Sequence, residues 1–160
     1  MAGTKITGAD EAIKRLQQLK GAAGKRVVRR ALRRGANVVL KAAREGAQRI
    51  DDPATSNSIS KNLVVRGGGS RNERRAGGVM MRVGVRGGAR DMSKYGEVKG
   101  QGKGNPGGDT FYWRFLEFGT QKMAARPFMR PALQNNTQAA TDAFANAMGT
   151  EIDKELAKVK

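Results

Sequence analysis

The sequence predicts an α+β protein: N-terminal helices including one long basic helix, a small antiparallel sheet with long loops, and a C-terminal helix. Three observations carry that expectation. Residues 24–50 hold an apolar stripe at helical spacing. Residues 62–86 hold two short segments that read as strands. Residues 128–158 return to helical spacing. A chain of 160 residues fits one domain, residues 1–160, with flexible loops expected at about 67–78 and 87–110.

Residues 8–20 predict a short helix, with Asp10 as its cap, Glu11 in its first turn, and Ile13, Leu16 and Leu19 on one side. Gly21 and Gly24 bracket a turn. The long helix over 24–50 is about 40 Å at 1.5 Å per residue. Its apolar face is Val28, Leu32, Gly35, Val39, Ala42, Gly46 and Ile50. Gly35, Ala42 and Gly46 make that stripe thin, so another backbone can approach closely. The opposite face carries Arg26, Arg30, Arg33, Lys41 and Arg44. Asp51-Asp52-Pro53 ends the helix, because a proline disfavours helical geometry in the residue before it.

Residues 54–61 are polar and turn-rich. Asn62 to Arg66 predict one strand. Val79 to Arg86 predict another, with Val79, Met81, Val83 and Val85 alternating against Met80, Arg82, Gly84 and Arg86. The link between them, GGGSRNERRAGG, is long and charged, and the natural reading is a hairpin with an extended tip. Residues 87–110 are poor in apolar side chains and rich in Gly and Lys. Pro127 suits a helix start, and a helix is expected from Phe128 to about Lys158. Its inward positions are Leu133, Ala140, Phe144, Ala147, Ile152 and Leu156, with a possible interruption at Gly149.

The charge balance narrows the function. The chain carries 31 Lys and Arg against 14 Asp and Glu, a net charge of +17. Residues 1–50 hold 13 of the basic and 3 of the acidic side chains, so the basic character belongs mainly to the N-terminal third. Such a balance points to a polyanion, an acidic protein surface or a membrane surface. There is no Cys and no His. Disulfides and thiolate metal sites are thereby excluded, and the commonest general base is missing. No apolar run approaches the ~18 residues of a membrane span, and residues 1–10 lack the apolar core of a signal peptide. The protein is therefore expected to be made in the cytoplasm and to stay there or in a particle assembled there.

The glycine clusters GGGSRNERRAGG and GQGKGNPGG lack the GxxxxGK[ST] spacing that wraps phosphates, and read as loops. Glu117 has no partner His or second carboxylate, and is expected to pair Arg114 or Arg126 rather than do acid–base work. No catalytic, cofactor or metal site is expected. The basic helix face can neutralise several phosphates, but no aromatic residues interleave with it to stack bases.

The most informative stretch is FYWRFLEFGTQKMAARPFMRPAL. It holds six of the eight aromatic residues: Phe111, Tyr112, Trp113, Phe115, Phe118 and Phe128. Part of that cluster suits a core. The stretch also resembles the signature of a family of small tail components of long, non-contractile-tailed bacteriophages, the tail-completion or head–tail joining proteins. The matching residues are Phe115-Leu116-Glu117-Phe118-Gly119-Thr120, Ala125-Arg126-Pro127-Phe128 and Arg130-Pro131-Ala132. The order of predicted elements matches as well. The family's Pro then Thr-Gly-x-Leu link is altered to Pro53-Ala54-Thr55-Ser56-Asn57-Ser58, and the 87–110 insert is longer than expected.

The resemblance implies a structural virion protein, not an enzyme and without a cofactor. It would complete the upper end of the tail and join it to the head or neck as an oligomeric ring, six copies being the natural number. Its partners would be itself and the tail terminator, tail-tube or connector proteins, with possible non-specific contact with packaged DNA and no membrane. The expected assembly interface is Phe115, Glu117, Phe118, Gly119, Thr120, Arg126, Pro127, Phe128, Arg130 and Pro131. The alternative is a small basic nucleic-acid-binding protein, which the charge favours and the aromatic signature does not.

Overall fold

A computed structural model of the chain describes residues 9–17, 19, 21–51, 53–54, 57–86 and 106–158. Among them lie helices α1 (Ala9–Gln17), α2 (Ala22–Gln48), α3 (Ile59–Asn62), α4 (Ser70–Arg75), α5 (Trp113–Phe118), α6 (Met129–Gln134) and α7 (Thr137–Leu156), with strands β1 (Leu63–Gly67) and β2 (Met81–Val85). The class is α+β, as the sequence predicts. The chain divides into two compact units, Met1–Val38 with Val65–Arg82 and Thr137–Lys160, and Val39–Val64 with Val83–Asn136.

The first unit packs α1 against α7. Leu19, Val27 and Ile152 are buried together, with Leu16, Ala23, Met148 and Leu156 around them. Gly21, at φ +51°, supplies the left-handed turn that lets the chain leave α1 and start α2. Asp10 lies inside the first turn of α1 beside Glu11, not at a cap; acidic side chains are favoured there by the helix dipole. Ile13 is 51% exposed, so only Leu16 and Leu19 of the expected trio face inward. A β-carbon added at Gly35 would sit 2.7 Å from the Ala140 carbonyl oxygen, so α2 and α7 touch backbone to backbone there. The thin stripe thus does what its small residues allow.

In the second unit Ala43, Ala47, Ile59, Leu63, Phe128 and Ala132 form the core, with Leu40, Ile50, Val85, Trp113 and Leu116 packed against it. The buried line along α2 is Val27, Ala31, Gly35, Val39, Ala43 and Ala47. It shares Gly35 and Val39 with the expected stripe, and elsewhere is turned by one residue. Val28, Leu32, Ala42, Gly46 and Ile50 flank it half-buried. The helix carries two adjacent apolar rows, and the row richer in alanine permits the closer approach.

Asp51 does more than end α2. Its carboxylate accepts hydrogen bonds from the Ile59 and Ser60 amides and the Ser58 hydroxyl at 2.8–3.1 Å, and so caps α3. Asn62, fully buried, donates to the Gly108 carbonyl (2.8 Å) and to Thr110 Oγ1 (2.9 Å), and accepts from the Gly107 amide (2.8 Å). Residues 107–110 form no helix or strand but are buried. The rest of the expected loop, 87–105, lies outside the described residues.

β1 and β2 pair antiparallel, with Arg86 N–H donating to the Asn62 carbonyl at 2.8 Å and Gly68 N–H to Met80 at 2.9 Å. That register puts Leu63 opposite Val85 and Arg66 opposite Arg82; within β2 only Arg82 is exposed and the other four residues are half-buried, so the expected alternation does not separate a buried face from an exposed one. The 67–78 link is not featureless: it contains α4. The C-terminal helix is broken, but at Asn135-Asn136 between α6 and α7, not at Gly149, which lies within α7. Asn136 Nδ2 bonds back to the Ala132 carbonyl at 2.9 Å, a local alternative to continuing the helix. Leu133, expected inward, is 55% exposed, whereas Ile152 is fully buried.

Candidate assembly surface

The signature segment is a short helix, a reversal and a second short helix. In α5 the residues at helical spacing divide cleanly. Trp113 and Leu116 pack on the core and Glu117 is buried, while Phe111 just before the helix, Phe115 and Phe118 point outward at 44%, 48% and 64% exposure. Gly119, at φ +76°, ends the helix; a β-carbon there would lie 3.0 Å from the Met123 carbonyl oxygen and the Ala125 nitrogen. Thr120 and Met123 bridge across the turn, and Arg126 N–H donates to the Leu116 carbonyl at 2.7 Å. The chain then runs back to bury Phe128 against α2, its Cβ 3.1 Å from where a Gly46 side chain would begin.

Glu117 holds the two arms together. Its carboxylate accepts the amides of Phe128 (2.8 Å), Met129 (2.9 Å) and Arg130 (3.0 Å), and so closes the amino end of α6. Arg130 Nε lies 3.3 Å from the same carboxylate, and Arg130 Nη2 donates to the Glu117 carbonyl at 2.6 Å. The Arg130 guanidinium also sits over the Phe118 ring, 5.2 Å from its centroid. Burial alone would raise the Glu117 pKa. The Met129, Phe128 and Arg130 amides and the Arg130 side chain reverse that and hold it below the ordinary value. The expected partner, Arg114 or Arg126, is therefore corrected to Arg130, which the turn at Gly119 brings back onto α5. Arg114 lies instead over the Trp113 ring at 5.7 Å.

The ten residues singled out from the sequence thus separate by role. Glu117 and Phe128, at 2% and 3% exposure, lie inside the subunit and build the segment. Phe115, Phe118, Thr120, Arg126, Pro127 and Arg130 are exposed, with Gly119 and Pro131 half-buried. Arg126, Pro127, Phe128 and Pro131 line one side of an open groove of about 480 Å³, and Ala42, Gly46 and Arg49 of α2 line the other. Met123 and Leu133 are also exposed.

The basic face of α2 is partly consumed within the chain. Arg30 pairs with Glu151 and Glu155 at 3.1 and 3.0 Å, and Arg26 lies 4.0 Å from Glu155. Arg44 donates to the Leu63 carbonyl at 2.9 Å. Arg33 and Lys41 are exposed and have no ion pair among the described residues. The sequence reading missed the arginines of the hairpin; their signal was the spacing of Arg71, Arg74 and Arg75 at i, i+3 and i+4.

Among the described residues no group of acidic side chains could hold a metal ion, and no helix is long and apolar enough to cross a membrane. Residues 10–119 match the family described as "Bacteriophage HK97-gp10, putative tail-component". No curated protein and no solved structure gives a significant match to the chain.

Proposed function

The chain belongs to the HK97-gp10-like family of bacteriophage tail components, and on that premise we propose that it is a non-catalytic structural part of the virion that completes the upper end of the tail. In this reading it joins the tail to the head or neck as an oligomeric ring, in contact with other copies of itself and with tail-terminator, tube or connector proteins. The observation that carries the proposal is the outward row Phe111, Phe115 and Phe118. Three phenylalanines exposed on a segment held in place by the buried Glu117 are a poor arrangement for an isolated chain, and aromatic anchors of this kind supply much of the binding energy of protein interfaces. Arg126, Pro127, Arg130, Pro131 and Thr120 would form the polar and backbone-fixed rim of the same surface.

Glu117 supports the non-catalytic part of the reading. Its acceptor positions are filled by three amides and a guanidinium, which leaves no free carboxylate facing solvent to move a proton. The test is assembly: phage carrying Phe115→Ala with Phe118→Ala should accumulate filled heads and separate tails in electron micrographs, and native mass spectrometry of the wild-type protein should show a closed oligomer that the double variant loses. Normal yields of joined particles from the double variant would sink the proposal.

A further inference from the structure

We infer that the β1–α4–β2 hairpin is a contact for the phosphate backbone of double-stranded DNA, separate from the aromatic assembly surface. Between residues 66 and 82 there are five arginines, one acidic residue and no aromatic. That single acid, Glu73, is already engaged: one guanidinium nitrogen of Arg29 on α2 donates to both of its carboxylate oxygens at 3.0 Å. Glu73 therefore faces α2. Arg71, Arg74 and Arg75, at i, i+3 and i+4, fall on the opposite face of α4, and all three are exposed. No residue of α4 is buried, so this helix adds nothing to the core.

A second observation is independent of the first. The strand register sets Arg66 directly opposite Arg82, both exposed. Like charges opposed across a strand pair repel, so folding alone gives no reason to place them there. A bound polyanion does. The choice between polyanions follows from what the hairpin lacks. Protein interfaces are anchored by aromatic side chains and arginine clustered together in desolvated pockets, and α4 (SRNERR) supplies arginine with no apolar or aromatic side chain beside it. Single-stranded nucleic acid is held by stacking on aromatics, also absent. Arginine guanidinia matched to a regular array of phosphates need neither.

The inference does not depend on the assembly reading, and its test uses the purified full-length protein. Binding to a fluorescent duplex of random sequence is titrated at several NaCl concentrations, with Arg71→Gln, Arg74→Gln and Arg75→Gln combined as the variant. Each neutralised phosphate contributes about −0.9 to the log–log salt slope, so the variant's slope should be shallower by about 3. A control with the same charge change on α2 (Arg33→Gln, Arg34→Gln, Lys41→Gln) should keep its slope within about 1 of wild type. Melting curves establish that both variants fold. Equal losses in the two variants would mean diffuse charge, and overturn the hairpin site. Polyglutamate competing as well as duplex of equal charge would assign the hairpin to acidic proteins, and tighter binding of a single strand would overturn the duplex; either result defeats the inference.

Discussion

Glu117 and Arg130 grip each other three times: the Arg130 side chain reaches both the carboxylate and the main-chain carbonyl of Glu117, while the Arg130 amide donates to that same carboxylate. The pair closes the reversal that presents Phe118 on the outside and Phe128 on the inside. Replacing the carboxylate by an amide leaves one acceptor oxygen for three N–H groups, of which that of Phe128 is buried. Glu117→Gln should therefore cost about 2–3 kcal/mol, a fall of about 5–10 °C in Tm for a chain of this size. An unchanged melting curve would mean the carboxylate is dispensable.

The same carboxylate makes stability depend on acid. Glu117 is held below its ordinary value of 4.5, and so are Glu73, beside Arg29, Glu151, beside Arg30, and Glu155, beside Lys158. For a depressed pKa the unfolded chain takes up protons first as pH falls. The contribution is thus complete well above 4.5 and is lost as pH drops through the lower folded values. Urea midpoints measured from pH 7 downward should hold steady, then fall from the ordinary carboxylate range onward. Glu117→Gln should show a shallower acid decline than wild type; a stability that rises on acidification would contradict the assignment.

Glycines in helices separate two opposed effects. At Gly35 an added β-carbon meets the Ala140 carbonyl oxygen at 2.7 Å and Phe144 Cβ at 3.3 Å. At Gly149 it meets nothing within 4 Å. Both substitutions gain helix propensity of up to about 1 kcal/mol. Gly149→Ala should keep that gain and melt higher. Gly35→Ala must push α2 from α7 and should be net destabilising by about 1–3 kcal/mol. If both variants melt higher than wild type, the close approach of the two helices is not real.

Phe118 and Phe128 separate assembly from folding. Phe128 is buried among Ala43, Ala47 and Ala132, so Phe128→Ala should cost about 3–5 kcal/mol. Phe118 is 64% exposed, and Phe118→Ala should leave the monomer's stability within about 0.5 kcal/mol. Chemical denaturation of the two variants, with particle yield beside it, distinguishes them. Loss of joined particles from Phe118→Ala at unchanged stability is the expected result, and comparable destabilisation by both would place Phe118 in the core.

The sequence carried the features that local patterning encodes, and missed those that depend on distant contacts. Small residues at helical spacing announced that a backbone would press on Gly35 and Gly46, but nothing local could say it would come from Ala140 and Phe128. The strand β2 was readable from the apolar side chains at every second position; α4 was not, since a helix with no apolar residue has no hydrophobic period, and Arg29, which ties it down through Glu73, lies far away in the chain. Arg114 and Arg126 were the nearest cations to Glu117 along the sequence, yet the turn at Gly119 folds Arg130 over instead. The aromatic run identified the right segment without revealing that Glu117 and Phe128 build it from within and Phe115 and Phe118 face outward.

The hairpin arginines offer a prediction in which stability and binding move in opposite directions. Arg66 and Arg82 face each other across β1 and β2, both exposed. A cross-strand pair contributes on the order of 0.2–1 kcal/mol, with a destabilising sign for like charges. Threonine suits an exposed strand position and carries no charge. Arg82→Thr should therefore raise the urea midpoint modestly at low salt, and the gain should shrink as added NaCl screens the repulsion in wild type. The same variant should bind duplex DNA more weakly, with a salt slope shallower by about 1. A purely structural arginine would give the reverse on the first measurement and no change on the second. Destabilisation by Arg82→Thr with an unaltered salt slope would therefore remove the cross-strand pair from the DNA contact.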